Sequence, residues 1–70
     1  KLKSFNLLVE ALTMNPGSVK LLKAYTIESA KLGFSDYAQS TLDTLKTKMS
    51  PSSFARFITE NPEIFEVTQN

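Results

Sequence analysis

Thirty-five residues separate Pro16 from Pro51, close to the ~34-residue period of helix–turn–helix repeats. Each proline follows a short polar residue, in Asn15-Pro16 and in Ser50-Pro51. Proline lacks the N–H that would continue a helical ladder, so each pair marks where one helix must stop and another can start. No segment shows the period-two alternation of a half-buried strand. A chain punctuated this way is restricted to short helices folded back on one another, an all-α architecture.

Apolar periodicity fills in the segments. Leu2, Phe5, Leu8, Val9 and Leu12 recur at three- and four-residue steps over residues 2–14, and Leu7 and Ala11 widen that face, so this helix wants cover on two sides. Asn15-Pro16-Gly17 ends it, with Gly17 expected to supply left-handed backbone. Ser18 is placed to cap a second helix from Val19 to Leu32, with Leu21, Leu22, Tyr25, Ser29 and Leu32 facing inward. Gly33 stands where a helix C-terminus needs positive φ. Ser35 is expected to cap the third helix, which carries the stripe Phe34, Ala38, Thr41, Leu42, Leu45 and Met49. Asp36 suits its first turn, and Lys46 and Lys48 its last. Ser50-Pro51 opens a fourth helix to Glu60, anchored by Phe54, Phe57 and Ile58. Asn61-Pro62 repeats the signal and starts a last short turn with Ile64 and Phe65, and residues 67–70 are expected to fray. The expectation is one domain over residues 1–70 with four main helices: a helix over 2–14, a hairpin over 18–49, and a C-terminal helix and turn over 51–66. The short connections make successive helices antiparallel.

Seventy residues bury only ~60% of their unfolded surface, a marginal core that usually needs a supplement. Cysteine and histidine are both absent, which removes disulfides and most transition-metal sites. Docking onto another copy or onto neighbouring repeats is the supplement that remains. The chain opens on Lys1 in mid-pattern and reads as a piece of something longer. No apolar run approaches the ~18 residues of a membrane span, and no signal peptide is evident. A soluble chain is expected, with neither membrane nor nucleic acid as partner; its compartment stays open between cytoplasm and export, with the cytoplasm slightly favoured. Net charge is only +1, but it is uneven. Residues 1–35 carry five Lys against Glu10 and Glu28, and residues 36–70 carry Lys46, Lys48 and Arg56 against five carboxylates.

The two proline-bounded units resemble the tetratricopeptide repeat family. With Val19 as the first position of a unit, Leu22 and Tyr25 fall on large apolar positions of helix A, and Gly33 on the glycine between the helices. Ala38, Leu42 and Leu45 fall on contact positions of helix B. In the same frame Leu8, Ala11 and Pro16 match helix B of a preceding unit. Thr26, Ser29 and Ser50 depart from the pattern. The resemblance covers roughly residues 2–52 and implies antiparallel hairpins stacked as a solenoid fragment of about one and a half repeats. The segment after Pro51 would be a terminal cap, since end units differ from the rest.

The chemistry is sparse. With no His or Cys, a Ser–Lys pair such as Ser18 with Lys20 is the nucleophilic arrangement left, and a cap plus a surface lysine explains it better. Glu60, Glu63 and Glu66 are three apart but sit where nothing would desolvate them for acid–base work. The two glycines are helix terminators, so there is no phosphate-binding loop, and no cofactor or metal is expected. Tyr25 and Tyr37 read as half-buried core with wet hydroxyls. One constellation stands out. Lys20, Lys23, Ile27 and Lys31 fall within about 80° of helix azimuth. The resemblance places this face in the concave groove, with Lys23 at a clamp lysine and Ile27 where the clamp has Asn. The expected function is a non-enzymatic protein–protein interaction module holding a peptide or helix at these four residues, whose lysines suit an acidic partner. The alternative is a self-associating or terminal-capping segment that docks through Leu2, Phe5, Leu8, Val9 and Leu12.

Overall fold

A computed structural model describes residues 2–68, with side chains from residue 3 onward. Five helices follow in order: α1 (Leu2–Met14), α2 (Val19–Lys31), α3 (Ser35–Lys48), α4 (Pro51–Glu60) and α5 (Pro62–Thr68). No strand occurs among the described residues.

The caps account for the boundaries. Ser18 Oγ accepts the Leu21 N–H at 3.3 Å and opens α2. Ser50 Oγ accepts the Ser53 N–H, with Pro51 in the first turn of α4. Between α2 and α3 the Phe34 N–H donates to the Ser29 carbonyl and the Gly33 N–H to that of Ala30, around Gly33 at φ +80. That closure satisfies the end carbonyls of α2 in a three-residue turn. It also shifts the expected cap. Phe34 stands at the N-cap of α3 with no side-chain cap bond, and Ser35 is already helical. Gly33 is the one described glycine with positive φ, so Gly17 does not use the left-handed freedom anticipated for it.

These two glycines give a paired prediction. Gly33→Ala places a Cβ in the left-handed region and is expected to cost about 1–2 kcal/mol, a fall in Tm of roughly 4–16 °C for a chain this size. Gly17→Ala meets nothing closer than Lys48 Nζ at 3.8 Å and is expected to leave Tm equal or slightly higher. Thermal melts followed by circular dichroism check both.

The helices wrap around α2, which packs against α1, α3 and α5. α2 and α3 run antiparallel: Thr26 Oγ1 lies 2.6 Å from Thr41 Oγ1, and the start of α2 lies beside Lys48 at the end of α3. α1 folds back on α2 in the same sense, with Phe5 against Tyr25 at 5.1 Å between ring centroids. Leu22, Ala30, Leu42, Leu45, Phe57 and Ile64 form the core, with Leu45 and Ile64 fully buried.

Two features of this core differ from the expectation. The segment after Asn61 is a seven-residue helix rather than a turn. Asn61 Nδ2 donates to the Phe57 carbonyl and ends α4, Pro62 starts α5, and Ile64 and Val67 carry it onto the core. Val67 is therefore packed rather than frayed, while residues 69–70 lie outside the described residues. The inner face of α2 is also turned. Leu22, Thr26, Ser29 and Ala30 are its buried residues, because neighbours on three sides bury a wider arc than one stripe. Thr26 Oγ1 lies 2.8 Å from the Leu22 carbonyl and shares a hydrogen bond with Thr41 Oγ1 in which either hydroxyl can donate, so its hydroxyl is satisfied inside the core. Ser29 Oγ is buried with no hydrogen-bond partner.

Candidate functional site

Because α2 is enclosed on three sides, what it still presents outward is narrow. Lys20 and Lys31 are exposed, and Ala24 between them is half-buried. At 100° per residue these three lie within about 40° of one another, and eleven residues of rise put the two lysines ~16 Å apart along the helix. Ala24 is a member of this stripe that sequence reasoning missed. Its signal was available, since it lies four residues from Lys20 and seven from Lys31.

The other two residues of the anticipated face lie at its edge. Lys23 is half-buried, with Nζ 5.7 Å from the centroid of the Phe57 ring, within the range of a cation–π contact. Ile27 is half-buried and packs against the core. Its side chain serves the cohesion of the core. The structure thus brings all four residues to one side of α2, with Lys20 and Lys31 free to meet another molecule and Lys23 and Ile27 engaged in the fold.

The residues anticipated for self-association divide in the same manner. Phe5 is buried at 7% exposure and Leu12 packs against the core. Leu8 is half-buried and Val9 is 39% exposed. The side chain of Leu2 lies outside the described residues. Besides Val9, the apolar surface that α1 leaves outside belongs to Leu7 at 58% and Met14 at 80% exposure. The two are seven residues apart, on the side opposite Phe5 and Leu12, and the packing of α1 on α2 decides which of its two apolar faces is inward.

Four rings gather where α1, α2 and α3 meet. Phe5, Phe34 and Tyr37 have centroids 5.4–6.1 Å apart, and Tyr25 joins them through Phe5. Burial pushes the Tyr25 hydroxyl above its ordinary pKa, and Tyr37 adds to this. Beside the rings lies an open hollow of about 370 Å³ lined by Gly33, Phe34, Ser35, Asp36 and Tyr37. It brings one carboxylate to a serine and a tyrosine, with no lysine or second carboxylate in its wall to act as their base or acid.

The remaining polar candidates have structural partners or open surroundings. Ser18 is the cap of α2. Glu60 is exposed and Glu63 half-buried at the junction of α4 and α5. Among the described residues no group of three or more Asp and Glu is placed to hold a metal ion, and no helix is long and apolar enough to cross a membrane. No family model, curated protein or solved structure matches this chain.

Proposed function

We propose that this chain is a non-enzymatic protein-binding module that holds an acidic helix or extended segment along α2. The observation that carries this reading is the stripe Lys20–Ala24–Lys31. Two exposed cations stand ~16 Å apart on one helix, with a small residue between them that lets a partner approach. α1 and α5 both border the helix that bears them. A ligand with carboxylates two or three helical turns apart would meet both lysines, while its apolar residues cover Ala24 and the lysine stems.

The same reading favours a tetratricopeptide-like stack for α1, α2 and α3. Its supports are the glycine closure at Gly33, the fully buried Ala38 at 0% exposure, and the successive packing of α1 on α2 and α2 on α3. In that arrangement α2 is the helix A that lines the groove, and α4 and α5 are the cap.

The test is calorimetry or NMR titration with synthetic amphipathic peptides bearing Glu along one face, beside Gln-for-Glu and Lys-for-Glu counterparts. The expected result is binding of the Glu peptides alone, weakened by salt and reduced about tenfold or more in a Lys20→Glu/Lys31→Glu variant. Equal binding of the three peptide sets, or no loss in the variant, would sink the proposal.

A further inference from the structure

We infer that the acidic segment received by the Lys20–Lys31 stripe is the α4–α5 end of a second copy of this chain. This rests on the protein-binding reading above and names its partner. The chemistry asked of the ligand, carboxylates beside an apolar anchor, is present on the molecule itself. Glu60 ends α4 and is exposed, Glu63 lies in the first turn of α5, and Phe65 is 56% exposed between them and Thr68. An aromatic ring left in water beside carboxylates is the usual form of an interface anchor.

The receiving stripe matches it in kind. Lysine stems cover apolar rings while their ammonium groups stay near carboxylates. The fold already uses this pairing internally, with Lys23 Nζ over Phe57. Lys20 or Lys31 over Phe65 of the second copy would repeat it, with Glu60 and Glu63 completing the ion pairs. Net charge of +1 puts little general repulsion between copies, while the two halves of the chain carry opposite signs.

Placement decides the symmetry. α5 packs beside α2 in the same chain, so the helix that carries Glu63 and Phe65 adjoins the helix that carries the receiving stripe. A two-fold axis between them sets each against its opposite on the other copy, twice over. That arrangement closes as a dimer, where widely separated patches would give an open filament.

The experiment is light scattering on the full chain over a concentration series at low and high salt, with Lys20→Glu/Lys31→Glu, Glu60→Lys/Glu63→Lys and Phe65→Ser variants. Circular dichroism confirms that each variant, altered at the surface, stays folded. The expected result is a wild-type dimer that dissociates with salt and is weakened about tenfold or more in every variant. An equimolar mixture of the two charge-reversed variants is expected to dimerise again, since each then offers the sign the other needs. A wild-type monomer at the highest concentration, or a dimer indifferent to both reversals, would overturn the inference. A monomer that still binds the Glu peptides through Lys20 and Lys31 leaves the protein-binding reading standing. A monomer that binds none of them removes both.

Discussion

Ile64→Ala is expected to leave this chain without a cooperative thermal transition. Ile64 is fully buried although it lies only three residues into a seven-residue helix. An isolated helix of that length has no stability of its own in water. What keeps α5 formed is the burial of Ile64 and Val67 against α2, α3 and α4. Truncating a buried isoleucine to alanine costs about 2–5 kcal/mol. A 70-residue domain commands roughly 4–10 kcal/mol in total, so the loss takes from about a fifth of it to all of it. Undocking α5 would also uncover one side of α2, which deepens the effect. Urea titration followed by helical circular dichroism measures it. A midpoint close to wild type would mean that α5 is an ornament on a core closed by the first four helices. Phe65→Ala on the exposed side of the same helix is the control and, at high salt and low protein concentration where copies are kept apart, is expected to move the midpoint little.

The second large effect is at Phe57. Its ring is 6% exposed and belongs to the core, while Lys23 Nζ lies over it, 5.7 Å from the centroid. Phe57→Ala removes the largest apolar group that α4 contributes and is expected to cost about 3–5 kcal/mol. Phe57→Leu keeps most of the volume, loses the ring and is expected to cost under ~1.5 kcal/mol. The contrast separates packing from the cation–π contact. A leucine variant as unstable as the alanine variant would show that the ring face, rather than filled volume, holds α4 in place. In the leucine variant the Lys23 ammonium is released toward the stripe. Peptide binding at Lys20 and Lys31 is then expected to persist and to become more salt-sensitive.

Local chemistry made much of this fold legible. Ser18, Gly33 and the Ser50-Pro51 pair act through neighbours one to four residues away, and each does in the structure what its residue type implies. The α3 stripe was legible for a related reason: Ala38, Leu42 and Leu45 repeat at helical steps on a helix whose other residues are polar. Ser35 was misread because the Gly33 closure is tighter than a cap rule anticipates. Gly17 was misread because proline alone suffices to end α1.

The candidate site was legible only in part, since azimuth on a helix says which residues share a face and not what covers that face. Ile27 shares azimuth with Lys20 and Lys31, yet it packs against the core. Ala24 is too small to register as a site residue until its neighbours are seen to be exposed. On α1 two apolar faces compete, and Phe5 goes inside while Leu7 and Met14 stay out because α2 offers a surface on one side.

The sequence by itself determined that this chain is all helical, where most of its helices begin and end, and that its charge divides into a basic and an acidic half. Those properties reside in single residues and short spacings. The tertiary structure decided that the last turn is a packed helix, that Thr26 belongs to the core, and that Lys20 and Lys31 rather than all four residues of the face look outward. Each of those outcomes depends on which surfaces meet, and burial is a relation between distant segments that no local spacing encodes.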